Sequence, residues 1–294
     1  MSLKKASRGA ASVFILSVSL LSLATYGVTK PKPPRRSSRV AKTSPAAANV
    51  FKPACPKPNY PSPPPAASPV IDSECGVSGA GAGAEGQQDS AKNNFCASGT
   101  PKVVTIDSLT NLQAQVLKNT AINFGSENKG NRKKGPTTNR APLKKLGEGT
   151  LVTLRAFVLV ARQEGPESVN CKKNVADTPP FHDIHISLVA SADATDECSG
   201  VVAEMSPHHR PDSWTHENVD KVSKAKLPVR VTGQLYFDSS HFPCSGGQSA
   251  GEGNPKRISL WEVHPIYKFE VCTANCEGTG GTWLALDQWA KQPE

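Results

Sequence analysis

At 294 residues the chain has room for one or two domains, yet 25 prolines and 23 glycines punctuate it, and the length suited to burying a core is nearer half. Its formal charge of +9 is unevenly spread: residues 1–71 hold 11 Lys or Arg and no acid, whereas residues 156–294 hold 12 basic and 18 acidic groups, a net of −6. The positive charge belongs to the front, and the acidic back half argues against phosphate-backbone binding, which is carried by Lys and Arg contacts.

Residues 1–28 open with Lys4, Lys5 and Arg8, continue through the apolar run Ala10 to Leu23 and reach the small residues Ala24 and Gly27. This is the layout of a signal peptide. Because the run is near the lower limit for a membrane span and basic residues follow it, an uncleaved N-terminal anchor is the alternative. Either way the chain is exported, to the periplasm, cell envelope or extracellular space. Residues 29–100 are rich in Pro, Ala, Ser and Gly, with hardly any aliphatic periodicity, and read as a disordered spacer continuing through the linker Gly76 to Gln88. Within residues 101–145, Asp107 to Lys118 predicts a short helix capped by Asp107 or Ser108, with Leu109, Leu112, Val116 and Leu117 inward. Lys129 to Lys145 then reads as a basic, solvated loop.

From Leu146 the pattern changes to strands. Thr150–Val160, Phe181–Ala190, Gly200–Met205, Leu227–Asp238 and Arg257–Cys272 each combine β-branched and aromatic residues between turn signals. The stretch between the third and fourth, residues 210–226, predicts a helix capped by Asp212 or Ser213. Five strands with a helix between the third and fourth predict a mainly β, OB-like barrel over residues 146–294, with Cys272 to Glu294, bearing Trp283 and Trp289, as a C-terminal cover.

Several local sequences carry a family resemblance: His-Asp-Ile-His at 182–185, Val-Val-Ala-Glu at 201–204, Val-Arg-Val-Thr-Gly-Gln-Leu-Tyr-Phe-Asp at 229–238 and Leu-Trp-Glu-Val-His-Pro-Ile at 260–266. With Leu-Gly-Glu-Gly-Thr at 146–150 and Glu-Ser-Val-Asn-Cys at 167–171, they resemble those of an uncharacterised family of exported bacterial proteins. The resemblance covers roughly the second half of the chain. It implies an OB-like barrel and export and transfers no activity.

The chemistry must therefore come from the residues. Alternation along a strand puts Asp183, His185 and Ser187 on one face of the second strand, and Ile258, Leu260, Glu262 and His264 on one face of the fifth. With Glu204 on the third strand, Asp183, His185, Glu262 and His264 make a candidate divalent-metal set, since imidazole and carboxylate suit zinc and similar ions. No spacing matches a helix-borne His-Glu-x-x-His motif, and a barrel carboxylate beside a His is more often a satisfied structural pair. No catalytic residue is assigned; Gly-x-Ser-x-Gly is absent, and the run Ser245 to Gly253 lacks the Lys of a P-loop.

Eight cysteines on an exported chain point to disulfides rather than zinc knuckles. The first-to-second and fourth-to-fifth strand loops, which flank the usual OB ligand face, contain Cys171 and Cys244, so a bridge between them is expected, with Cys198 and Cys272 near the opposite end. Trp214, Tyr236 with Phe237, His241 and Trp261 are candidate binding residues that can form a stacking platform. The reading that follows is a disulfide-braced binding module for an envelope polysaccharide or exported protein, with membrane contact only through an uncleaved N-terminal segment. A metal-dependent hydrolase or nuclease and a structural envelope protein are the alternatives. No cofactor is required by the motifs, and a divalent metal is the one the cluster admits.

Overall fold

The computed structural model describes residues 79–122, 139–170, 182–208, 210–244, 253–277 and 280–292. The signal or anchor segment, most of the spacer, and Cys171 lie outside these residues. None of the described helices is long and apolar enough to cross a membrane.

Five strands close a barrel: β2 (Leu151–Gln163), β3 (Ile184–Val189), β4 (Val201–Met205), β5 (Pro228–Phe237) and β6 (Trp261–Ala274). Their order around the barrel is β2-β3-β4-β6-β5, with β5 pairing back onto β2. All these pairings are antiparallel except the parallel contact of β4 with β6. These are the five strands expected from the sequence, and the helix α4 (His216–Lys224) lies between the third and fourth of them, as an OB-type barrel requires. Each strand sends alternate apolar residues into one core: Val152, Leu154 and Ala156 from β2, Ile184, Ile186 and Leu188 from β3, Val201, Ala203 and Met205 from β4, Trp261 and Val263 from β6. Val219 and Val222 of α4 close one end of it. The cap of α4 is Thr215, whose side chain accepts from Asn218 N, rather than Asp212 or Ser213.

Two strands lie outside the barrel. β1 (Lys102–Val104) runs parallel to β2, and β7 (Thr282–Ala285) pairs with the end of β6, followed by the one-turn helix Leu286–Trp289. This C-terminal cover buries Leu286 in the core and lays the Trp283 ring under the guanidinium of Arg230 at 4.6 Å. The expected helix spans Ile106–Lys118 and is capped by Thr105, which forms a capping box with Ser108. Leu109 and Val116 are buried, while Leu117 is exposed rather than inward. Its Gln113 carboxamide oxygen accepts from Leu260 N at 2.9 Å, and Ser259 Oγ donates to Leu109 O at 2.9 Å. The helix is thus fastened to the entry of β6. Within the expected basic loop, Ala141–Leu146 forms a further short helix.

The largest departure from expectation is the segment 79–97. Composition assigns it to a linker, but Ala84–Lys92 forms a helix, α1, that docks on the outside of the barrel. Phe95 anchors it: the ring stacks on Tyr267 with centroids 5.7 Å apart, and these two pack with Ala97 and Leu151 in a small second cluster. Tyr267 Oη donates to Asn94 O at 2.6 Å. Burying a side chain the size of Phe contributes roughly 1.5–3 kcal/mol, which offsets the weak helix propensity of a segment beginning at Gly83.

The disulfides also differ from expectation. Cys244 pairs with Cys198, not with Cys171, and Cys272 closes a short ring with Cys276. Two backbone hydrogen bonds explain the first pairing. Ile258 N donates to Gly200 O at 2.8 Å and Cys244 N to Arg257 O at 2.7 Å, so the turn before β4 and the β5–β6 connection are drawn to the same strand entry. The bridge spans 46 residues of sequence, for which chain-entropy arguments give about 4 kcal/mol. Non-reducing peptide mapping is expected to recover the 198–244 and 272–276 pairs, and the double replacement Cys198→Ser, Cys244→Ser is expected to lower the unfolding free energy by about 2–4 kcal/mol; a 171–244 peptide would overturn the pairing.

Candidate functional site

The same alternation that fills the core leaves a second set of side chains on the outer face of β3, β4 and β6. His185 and Ser187 point outward from β3, Glu204 from β4, and Glu262 and His264 from β6. Register brings them together: His185 is the cross-strand partner of Glu204, and the Ala203–Val263 pairing sets Glu204 beside His264. Asp183 stands immediately before β3. An outer face would ordinarily be wet, but here it is roofed by α1 and by the described ends of the β2–β3 and β5–β6 connections, which bring Glu167 and Asn254 to the cluster. Asp183, His185, Glu204, Glu262 and His264 are all buried.

Glu204 is the centre. Its Oε2 lies 2.6 Å from His264 Nδ1, 3.3 Å from His185 Nε2 and 3.5 Å from Lys92 Nζ, which α1 delivers. Lys92 also reaches Glu167 Oε2 at 3.3 Å. The approach of His264 to Glu204 is oblique, so neither atom is in a hydrogen-bonding direction. His185 Nδ1 lies 2.9 Å from Asn254 O. A carbonyl only accepts, so Nδ1 carries a proton, and Nε2 is the nitrogen turned to Glu204. That is the second contact by which metal-binding histidines are oriented. Both oxygens of Asp183, Glu204 Oε2, both ring nitrogens of His264 and His185 Nε2 have no hydrogen-bond partner among the described residues. Glu204 Oε2, His264 Nδ1 and His185 Nε2 at least face one another as ion pairs; both oxygens of Asp183 and His264 Nε2 have no such contact among the described residues, and since buried polar atoms are almost always satisfied, these three call for a missing partner.

Burial opposes every charge here. It disfavours ionised Glu204, yet His185, Lys92 and His264 together hold that carboxyl well below its usual range. Burial would also lower both imidazoles, and the Glu204 carboxylate outweighs it, raising His185 to about 10 and His264 to about 9. Asp183 moves the other way: burial raises its carboxyl against the pull of His264, and Glu204 adds to the rise. The carboxyl of Glu262 is pushed up to about 7 by burial and by Glu204, with Arg257 opposing.

Two groups have the geometry to gather a cation: Asp183, Glu204 and His264, and Glu167, Asp183 and His185, the ligand atoms within each lying within 4.8 Å of one another. Four of the five expected metal residues therefore converge. Glu262 does not join them. It is bound instead by Arg257, fully buried, whose Nη1 also donates to Asp238 Oδ2 at 3.1 Å. Asp238 is paired in turn with His241. The expected aromatic platform is corrected too. Trp214 and Trp261 belong to the core, and Tyr236 is fully buried with Arg140 over its ring, so none of the three offers a face to a ligand. Of the candidate binding residues only His241 is part-exposed. Lys92 has no motif; Glu167 opens the Glu-Ser-Val-Asn-Cys run of the resemblance and falls in the loop that OB barrels place beside their ligand face, but neither signal marks it as a ligand.

A separate cleft of about 580 Å³ is lined by Gln87, Ser90, Asn94, Asn139, Arg140 and Gln234 among others. Gln234 separates it from the cluster, its Nε2 donating to Ala91 O and His264 O, each at 2.8 Å. No protein-family model, curated protein or solved structure matches this chain.

Arg257 gives the site a clear stability test. Replacing it by Met would leave Asp238 and Glu262 facing each other in the interior, and removal of one partner from a buried ionic group destabilises by about 3–5 kcal/mol. Urea unfolding of Arg257→Met is expected to show a loss of that order, with partial recovery when Glu262→Gln is added; equal losses in the single and double variants would mean that the Arg257–Glu262 pairing is not the cause.

Proposed function

We propose that this chain is an exported metalloprotein in which Asp183, Glu204 and His264 hold a divalent cation on the outer face of the barrel, and that the cation activates water for hydrolysis. The observation that carries the reading is the convergence of these three buried side chains, with both Asp183 oxygens and His264 Nε2 unpartnered among the described residues. Two carboxylates and one imidazole suit Zn²⁺ or Mn²⁺ better than the all-oxygen preference of Mg²⁺ or Ca²⁺. Three protein ligands leave a coordination position for water, the arrangement of catalytic rather than structural zinc. The location supports it as well: OB barrels bind ligands on the face of their second and third strands, between the two loops that here supply Glu164 and Glu167 on one side and Asn254 and Arg257 on the other. The part-exposed Glu167, with a third of its side chain accessible, marks the side from which a substrate would approach. Bound to the ion, Glu204 and Asp183 would supply negative charge, and Lys92 would stand ready to stabilise an anion developing on the substrate. Export rests on residues 1–28 and is supported by the Cys198–Cys244 and Cys272–Cys276 bridges. The resemblance to exported bacterial OB-like proteins belongs to the same proposal.

A binding module for an envelope polysaccharide or exported protein is the second reading, favoured by the amide-lined cleft. Metal content separates the two. Elemental analysis of the full chain, purified without chelator, is expected to find bound Zn²⁺ or Mn²⁺, lost in His264→Ala. Adding the ion at a hundredfold excess over its Kd should raise the unfolding free energy by about 2.7 kcal/mol. Metal-free protein whose melting temperature ignores both ions would remove the metalloenzyme reading.

A further inference from the structure

The geometry points to a second divalent cation beside the first, held by Glu167 and His185, with Asp183 bridging the two ions. This rests on the metal reading above and goes beyond it in nuclearity.

Asp183 is the shared member of the two ligand groups. Its side chain is fully buried, and neither of its oxygens has a hydrogen-bond partner among the described residues. One cation would occupy one oxygen and leave the other orphaned in the interior, an unfavourable state for a charged group. A carboxylate that bridges two ions satisfies both. The second ion's other ligands are already aimed. His185 Nδ1 is committed to Asn254 O at 2.9 Å, which leaves Nε2 as the donor atom. That nitrogen lies 3.3 Å from Glu204 Oε2 and 3.9 Å from Glu167 Oε1, between the inner acid and the outer one. Two positions that share a carboxylate ligand are the arrangement of two-ion hydrolytic sites.

The two ions differ in depth. The inner group, Asp183, Glu204 and His264, is buried throughout, whereas Glu167 of the outer group is a third exposed. Charge separates them further. The carboxylates of Glu164, Glu167, Asp183 and Glu204 already face three permanent cations, Lys92, Arg162 acting on Glu164 and Arg210 acting on Asp183. Each divalent ion adds two positive charges to this set, so the second is held against the repulsion of the first. The outer ion is therefore the weaker and the more exchangeable, and hydroxide or an anionic group of the substrate completes it.

The test is Mn²⁺ titration of the full, disulfide-intact chain, read by native mass spectrometry and electron paramagnetic resonance, with far-UV circular dichroism as the check on folding. Two Mn²⁺ per chain are expected, the second at least tenfold weaker, with the broadened spectrum of two magnetically coupled ions. Glu167→Gln should bind one Mn²⁺ at the original tight affinity and show the six-line spectrum of an isolated ion. His185→Gln serves the same purpose if the first variant misfolds. One Mn²⁺ in the unaltered chain, with no change on altering Glu167 or His185, would overturn the second site and leave the first standing. No Mn²⁺ or Zn²⁺ at all would remove both.

Discussion

Glu204 is cut off from bulk water, and the protein must neutralise it from within; most of what is unusual about this barrel follows from that. An OB-type barrel needs only its inner face dry. Here the part of the outer face of β3, β4 and β6 that holds the cluster is dry as well, because α1 and the described ends of two interstrand connections lie over it. The roof is held by apolar contact, Phe95 on Tyr267, and by polar contacts that depend on the charges beneath it. Lys92 is drawn to Glu204 and Glu167. Gln88 takes a hydrogen bond from Ser239 Oγ at 2.5 Å and gives one to Ser240 Oγ at 2.7 Å. The helix and the cluster therefore stabilise each other, and neither has a reason to exist alone.

The connections that border the cluster are fixed with similar care. The β5–β6 connection is tied to the turn before β4 by the Cys198–Cys244 bridge, and held from inside by Arg257, which spans Asp238 and Glu262. Where β5 runs into that connection, Arg140 pairs with Glu148, and Phe237 N donates to the same carboxylate at 3.2 Å. Such rigidity suits a constellation of ligands better than a flexible loop would, since an ion site tolerates little displacement of its donor atoms. Gly233 contributes to the same precision: a side chain there would run into the Pro265 carbonyl, so the glycine lets β5 and β6 close up next to His264.

The barrel was legible because period-two patterning is a strong signal wherever one face is apolar. The sets Ile184, Ile186, Leu188 and Val201, Ala203, Met205 announce both strand and orientation. The same rule exposed the site, since Asp183, His185, Glu204 and His264 are ionisable residues at or beside the strands. It placed Leu260 wrongly: the strand begins only at Trp261, and Leu260 enters the core before alternation starts. The roof was not legible. Ala84–Lys92 has the composition of a linker, and its helix is decided by tertiary contacts 75 to 152 residues away in sequence. Glu167 has no periodic context, and the Cys198–Cys244 pairing depends on where two connections meet in space. The aromatic platform failed for an ordinary reason: on a barrel this small, large rings are needed inside.

The choice between a structural ionic network and an ion site can be argued within this one protein, because it contains both kinds of buried polar group. Arg257 is the structural kind. Its Nη1 donates to Asp238 and Glu262, Nη2 reaches Pro255 O at 3.4 Å, and opposite charges meet at hydrogen-bonding geometry. Arg140 with Glu148 is another, with two nitrogens of the guanidinium engaged by the carboxylate. Around Asp183 the pattern changes. The groups are equally buried and equally close, and Glu204 pairs with His264, His185 and Lys92, yet both Asp183 oxygens and His264 Nε2 are left without a partner among the described residues. Mutual salt bridges select directional pairs, whereas a cation selects convergence, since several donors must face one centre. The second geometry is the one found at Asp183, Glu204 and His264, and it sits on the face where barrels of this topology take their ligands.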